Sequence, residues 1–277
     1  MGDSKNYRRK FFSDHPVCCF CGGGRAIEEI EHIPPRFMFI NKHRPSGFEF
    51  PTCIECNRAS RKTDTVVSFL TKFASIQNLS EKYHSDFEAT AKGLLRNCPE
   101  TYDEILSGRF GNRQEEKRYK KTHNEDVVIV SLGPKQREHI NLFGLKLTLA
   151  AYYLVSGNIA SSDAYITIYI HTSKNLIENT IPQQLNFLGE FHTMQQGNWS
   201  VPDQFSYRYG STDDKKNAVF QFLMHNNLLL STFIFDGSAD EKSRLKLNEH
   251  LTVGSLRAVN DVKRNPFPSI SMSYEQT

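Results

Sequence analysis

Two C-x2-C pairs near the start of the chain constrain its fold more than any other sequence feature. They are Cys18 with Cys21 and Cys53 with Cys56, and 31 residues separate the two pairs. A C-x2-C turn lets two thiolates reach one ion, and four thiolates form the tetrahedral ligand set of structural zinc. Because the surrounding segment is too short to bury a large core, we expect Zn²⁺ to stabilise it. Ordinary buried cysteines are the alternative interpretation.

The composition is that of a folded protein without a membrane segment. Hydrophobic residues make up 38% and charged residues 23% of the 277 residues, which argues against a chain that is disordered throughout. No run of about 18 uncharged apolar residues occurs, and the charged N-terminus has no signal-peptide pattern. We therefore expect a cytoplasmic protein with no membrane partner. The net charge of +3 does not by itself identify a nucleic-acid-binding protein.

Hydrophobic periodicity predicts an α+β chain with a mostly antiparallel sheet in its C-terminal part. We expect an N-terminal module over 1–66, a helical connector over 67–107, a charged exposed linker over 108–125 and a companion α+β domain over 126–277. Within the companion domain the pattern predicts a long helix over 136–155 that ends at Gly157. The predicted strands of that domain cover 127–132, 164–170, 205–211, 217–224 and 228–235. The aromatic residues of these strands are expected in the core rather than on a base-stacking surface.

A second motif lies between and just after the cysteine pairs. The sequence Glu31-His32-Ile33-Pro34-Pro35 follows a predicted strand over 26–31, and a second predicted strand covers 48–51. A helix is expected from Cys56, with Asn57 at its start, followed by the basic residues Arg58, Arg61 and Lys62. This order of motifs resembles the HNH (ββα-metal) endonuclease superfamily, especially members with a pair of zinc knuckles. The resemblance covers roughly residues 15–66.

The resemblance implies an enzyme that hydrolyses phosphodiester bonds in DNA, with RNA as an open alternative. It implies that His32 is the general base and that Glu31 and Asn57 bind a catalytic Mg²⁺ or Mn²⁺. A neutral imidazole accepts the proton of water near pH 7, and a divalent cation neutralises phosphate charge. By the same resemblance, the four cysteines hold structural Zn²⁺. The basic residues after Asn57 are expected to contact nucleic acid, or else to form a solvated helix face.

One departure from the family and several alternatives stay open at this stage. No asparagine occupies the second predicted strand, where many HNH members carry the residue that orients the histidine. Asn41 is the nearest candidate for that role or only a loop residue, and His43 is a candidate metal ligand or phosphate contact. A catalytically inactive zinc-stabilised module that binds nucleic acid or protein is the alternative function. A further hypothesis is that the protein is an effector in bacterial anti-phage defence. Its possible protein partners are a second copy of the chain, in a homo-oligomer, or another protein of the defence system. The basic cluster over 113–121 is a solvated linker or a second nucleic-acid contact.

Overall fold

The computed structural model describes residues 2–73, 81–111, 113–123, 132–177, 179, 181–237 and 251–252, and it confirms a mixed α+β fold. The α-helices of these residues are α1 Gly2–Asp14, α2 Ile54–Phe73, α3 Glu81–Asn97, α4 Pro99–Gly111, α5 Arg113–His123, α6 Pro134–Ser156 and α7 Ser173–Ile177. The strands are β1 Glu29–His32, β2 Glu49–Thr52, β3 Tyr165–Thr172, β4 His192–Thr193, β5 Gln195–Gln196, β6 Trp199–Ser200, β7 Phe205–Ser211, β8 Asn217–Met224, β9 Leu228–Phe235 and β10 Leu251–Thr252. Within the described ranges, none of the helices has the length and apolar character needed to cross a membrane.

The N-terminal part contains a short hairpin followed by a helix. Strands β1 and β2 pair antiparallel, with Glu31 opposite Phe50 and His32 opposite Glu49. Helix α2 starts two residues after β2, so one residue, Cys53, joins them. The strand-strand-helix order agrees with the sequence prediction, and the strand bounds differ from it by a few residues at most.

The C-terminal part is built on an antiparallel sheet whose strand order is β10-β3-β9-β8-β7-β4. Strands β7, β8 and β9 cover the predicted residues, because each is a run of seven or eight residues rich in aromatic and aliphatic side chains, with short polar turns between the runs. Helix α6 crosses one face of this sheet and ends at Gly157, whose φ of 72° is the left-handed cap expected there. The strand predicted over 127–132 lies outside the described residues except for Leu132.

The hairpin packs directly on the C-terminal sheet. The ring of Phe48 lies 6.0 Å from that of Phe205 and 5.1 Å from that of Tyr207. A single buried hydrophobic cluster contains residues from the hairpin, α2, α6 and the sheet. The buried core therefore continues across the predicted boundary at residue 66. Whether the two parts fold as separate domains stays a prediction.

The segment 108–125, expected as an exposed loop or linker, is helical in the residues that the structure describes. Helix α4 extends to Gly111, and α5 covers Arg113–His123. The segment lacks an apolar face, which is why periodicity gave no indication of a helix. Its lysine, arginine, glutamate and glutamine residues have high intrinsic helix propensity, which accounts for the helical conformation.

The contact between the turn after β8 and the N-terminal part predicts that stability falls in mild acid. Burial lowers the pKa of His225 to about 4, and its Nε2 lies 2.8 Å from the carbonyl oxygen of Met38. The unfolded chain binds this proton near pH 6.5, so lowering the pH from 7 to 5 favours unfolding, by about 2 kcal/mol from this group. Urea unfolding at both pH values measures the loss. His225→Gln should remove about 2 kcal/mol of the change in unfolding free energy between the two pH values. The control is His84→Gln, at an exposed site of α3, which should keep the change seen in the unchanged protein. The same pH-dependent change in all three proteins would contradict the assignment.

Candidate functional site

The four predicted zinc ligands come together at the junction of the hairpin and α2. The Sγ atoms of Cys18, Cys21, Cys53 and Cys56 all lie within 4.8 Å of one another, and all four residues are buried. The first pair sits on a turn that the Cys18 N–H closes by donating to the carbonyl oxygen of Arg25. The second pair spans the start of α2. The sequence spacing thus identified a real cluster with the geometry of a metal site.

The electrostatics of this cluster favour a bound cation. A hydrogen bond with Cys21 raises the pKa of Cys18 to about 12, although the contact with Cys56 acts in the opposite direction. Hydrogen bonds with Cys18 and Cys21 raise the pKa of Cys56. Four sulfur atoms this close cannot all ionise without a positive charge among them, whereas a divalent ion stabilises the thiolate form of each. The residues therefore fit Zn²⁺, the ion that prefers four thiolates in a closed tetrahedral site.

An open pocket of about 780 Å³ lies beside the hairpin. The end of β1, the turn after it, one face of α2 and the C-terminal end of α3 line this pocket. The predicted catalytic residues His32, Glu31 and Asn57 are all among its lining residues, together with Arg61 and Lys62. Arg58, predicted to bind nucleic acid, is exposed on α2 and is not among the pocket-lining residues. The fold thus brings the predicted residues of two separate motifs to one cavity.

His32 lies at the end of β1 with its imidazole partly exposed to the pocket. Burial, together with the guanidinium groups of Arg44 and Arg36, lowers the pKa of His32 below its usual range, while Glu49 and Glu31 act in the opposite direction. The side chain is 28% exposed, so water and a ligand can reach it. The imidazole is therefore mainly neutral near pH 7, the state in which it can accept a proton.

Glu31 is held by a buried lysine from the C-terminal part of the chain. Lys146 of α6 donates to Glu31 Oε1 at 2.5 Å, to Ser60 Oγ at 2.6 Å and to Asp64 Oδ2 at 3.3 Å. Burial raises the pKa of both carboxyl groups, and the ammonium group opposes that rise. Glu31 Oε1, an oxygen of the predicted metal ligand, is thus already bound to the ammonium group of Lys146, which the sequence did not indicate as a partner.

Asn57 is also partly engaged. Its Nδ2 donates to Glu29 Oε2 at 2.5 Å, which leaves its amide oxygen as the atom available to a cation. Glu31 likewise keeps its second carboxylate oxygen, since Lys146 contacts Oε1. Carboxylate and amide oxygens are the ligand types that Mg²⁺ and Mn²⁺ prefer, and both residues line an open pocket that has room for water. The donor set therefore fits a weakly held divalent ion at this place.

Several pocket residues were missed by the sequence analysis. Arg36 follows the Glu-His motif by a few residues, and Arg96 comes from the C-terminal end of α3; both line the pocket. Arg36 could have been identified as a cation next to the motif. Lys146 gave a weaker indication, as a charged residue within an otherwise apolar helical stretch. The earlier candidates Asn41 and His43 are not among the pocket residues, and His43 instead packs edge-on against the Trp199 ring, with the centroids 6.4 Å apart.

Comparison of the chain with protein-family models, with curated proteins and with solved structures finds no match in any of the three. Any assignment of activity therefore depends on the motifs of the chain and on the geometry of the pocket. The sulfur cluster indicates a metal site, and the resemblance to HNH endonucleases has no support beyond the motifs and the arrangement of the residues that carry them.

The sulfur cluster predicts that Cys56→Ser abolishes zinc binding. The chain should contain about one tightly held Zn²⁺, and the variant about none, because three thiolates and a hydroxyl bind zinc poorly. Its melting temperature should fall by about 10 °C or more, since each kcal/mol shifts a chain of this size by roughly 2–4 °C. Metal analysis and thermal unfolding measure both effects. Cys98→Ser changes a buried cysteine in another cluster, so it should keep the zinc; equal zinc contents in the two variants would contradict the site.

The buried ion cluster predicts that Lys146→Met is strongly destabilising. The substitution leaves Glu31 and Asp64 buried without their shared ammonium partner, a change that typically costs about 3–5 kcal/mol. Urea unfolding of the zinc-loaded protein measures the difference. Lys135→Met is the matched control, because it breaks an exposed ion pair with Glu100 and should change stability little. A Lys146→Met protein as stable as this control would show that the two carboxyl groups do not need the lysine.

Proposed function

We propose that this protein is a metal-dependent endonuclease of the HNH type that hydrolyses phosphodiester bonds in DNA. The observation that carries the proposal is the composition of the pocket beside the hairpin. A mainly neutral imidazole, two oxygen donors and four cationic side chains line one open cavity. The cationic residues are Arg36, Arg61, Lys62 and Arg96. Cations around an open pocket with a proton acceptor suit a phosphodiester better than a neutral or positively charged substrate.

In this proposal His32 accepts the proton of the attacking water. His32 lines the pocket at the end of β1, and its lowered pKa keeps the ring in the neutral form at physiological pH. The proton moves from the water to the ring nitrogen as the water oxygen bonds to phosphorus. The bond from phosphorus to the 3′ oxygen breaks, and that oxygen takes a proton from solvent, which gives the 5′-phosphate and 3′-hydroxyl ends that the resemblance implies. The resulting imidazolium then loses the proton to solvent, which its partial exposure allows.

The other pocket residues bind and orient the phosphate. Arg61 and Lys62 on α2 and Arg96 on α3 supply positive charge around the phosphate oxygens, which favours binding without reading the base sequence. Glu31 and Asn57 would hold the divalent ion through the oxygen atoms that their present hydrogen bonds leave open. When bound, Mg²⁺ or Mn²⁺ neutralises charge on the phosphate and on the leaving oxygen. The four cysteines keep the hairpin and α2 together through Zn²⁺ and take no part in the chemistry.

The proposal predicts that His32→Ala abolishes DNA cleavage. Supercoiled plasmid should be nicked by the zinc-loaded full chain when Mg²⁺ or Mn²⁺ is added, and the variant should be slower by about 100-fold or more, the usual contribution of a general base. Zinc content and melting temperature should stay near those of the unchanged protein. His43→Ala is the matched control, since His43 lies in the same hairpin outside the pocket. Full activity of His32→Ala would rule out the mechanism, and a lack of metal-dependent cleavage by the unchanged protein would rule out the activity.

A zinc-stabilised module that binds nucleic acid without cutting it is the second candidate function. The observation that favours it is the contact of 2.5 Å between Lys146 and Glu31, because a bound ammonium group weakens the attraction of this carboxylate for a divalent ion. Labelled DNA and RNA of equal length, tested in a gel-shift experiment beside the cleavage assay, separate the two functions. Binding that depends on Arg61 and Lys62 without cleavage in any divalent metal would favour the second candidate. A role in anti-phage defence stays a hypothesis on which the pocket has no bearing.

A further inference from the structure

We propose that Glu49 on β2 positions the catalytic imidazole of His32 by accepting the hydrogen of its Nδ1. Glu49 would thus take the place of the orienting asparagine that the second strand lacks. The catalytic role of Glu49 rests on the proposed function. The contact between Glu49 and His32 does not, since both residues belong to the β1–β2 hairpin. This contact assigns a role to a residue that neither the motif nor its spacing identified.

The first argument concerns which ring nitrogen carries the hydrogen. Nη2 of Arg36 lies 3.4 Å from Nε2 of His32. A guanidinium group can only donate hydrogen bonds, so Nε2 has to be the acceptor in this contact. In a neutral imidazole the hydrogen then resides on Nδ1. In this tautomer Nε2 is the basic nitrogen, and to act as the general base it exchanges its long contact with Arg36 for the attacking water.

The second argument concerns what can accept the hydrogen of Nδ1. This atom is buried and has no hydrogen-bond partner among the described residues. Glu49 stands directly opposite His32 in the hairpin register, and its Oε1 is 3.8 Å from Nδ1. That distance is longer than a hydrogen bond, and contacts between catalytic groups commonly shorten when a substrate binds. A buried donor next to a carboxylate at this separation gains free energy from closing the gap.

The third argument is that Glu49 is itself held in place. The hydroxyl group of Tyr7, on α1, donates to Glu49 Oε2, and the other oxygen of this carboxylate, Oε1, is the one that lies 3.8 Å from Nδ1 of His32. The other charged groups that act on the imidazole are Glu31, Arg36 and Arg44. Arg44 is occupied by backbone carbonyl oxygens, among them those of Pro34 and Phe48, and Glu31 is bound to Lys146. Glu49 is therefore the carboxylate that the hairpin offers to Nδ1.

The test is the tautomer of His32, measured on the zinc-loaded full chain without added divalent metal. Histidine labelled with ¹⁵N and long-range ¹H–¹⁵N correlation spectra at mildly alkaline pH distinguish Nδ1–H from Nε2–H, and His32→Ala identifies the resonances. We expect Nδ1–H in the unchanged protein and a larger share of the opposite tautomer, which neutral histidine prefers when unconstrained, in Glu49→Ala, because the 3.4 Å contact with Arg36 is too long to hold the Nδ1–H form alone. Plasmid cleavage by Glu49→Ala should show kcat lower on the order of 100-fold with KM nearly unchanged, because misplacing the base slows chemistry without weakening phosphate binding.

Glu55→Ala is the matched control, since Glu55 is an exposed glutamate at the start of α2 that pairs with Arg25 away from His32. It should keep both the Nδ1–H tautomer and the full kcat. An Nε2–H tautomer in the unchanged protein overturns the inference without any variant, and so does a Glu49→Ala protein with unchanged tautomer and kcat. If the unchanged protein does not cut DNA but shows an Nδ1–H tautomer that Glu49→Ala loses, the positioning contact is supported and the proposed nuclease activity alone fails.

Discussion

The cluster of four buried thiols determines where the hairpin lies relative to α2. Two of the cysteines precede β1, and the other two span the junction of β2 and α2, so bringing their sulfur atoms within 4.8 Å connects all three elements. Because His32 ends β1 and Asn57 lies in the first turn of α2, the same cluster sets the distance across the pocket. A segment this short depends on this connection, since four thiolates this close repel one another until a cation neutralises them.

The second constraint is charge neutralisation across the core. The hairpin and α2 each bury a carboxylate, Glu31 and Asp64, and the lysine that neutralises them comes from α6, more than eighty positions later for Asp64. Buried carboxylates are tolerated only with such partners. The pocket therefore has two supports of different kinds. The four cysteines of the N-terminal part connect the elements that line the pocket. The ammonium group of Lys146, from the C-terminal part, neutralises the carboxylates of Glu31 and Asp64.

Local patterns explain which features the sequence could predict. The C-x2-C spacing predicted the cysteine cluster, and runs of β-forming residues between polar turns predicted β7, β8 and β9 at their observed bounds, since both depend on neighbouring residues. The roles of Lys146, Arg96 and Glu49 depend on contacts between distant elements, which periodicity does not encode. Helix α5 was missed for another reason, whereas most of α4 lies within the predicted helical connector over 67–107. Where a helix has no apolar face, only intrinsic propensity indicates it, and that indication is weak.

The position of Lys146 has a consequence for how such a chain can change in evolution. Proteins often gain new functions by exchanging whole segments, which works when each segment pairs its buried charges within itself. Here a recombination event that replaced the second half would remove the positive charge required by the first. An exchange of this kind would succeed only if the new segment places a buried lysine where Lys146 now lies, or if one of the acidic residues is lost at the same time. The two halves are therefore expected to be inherited together.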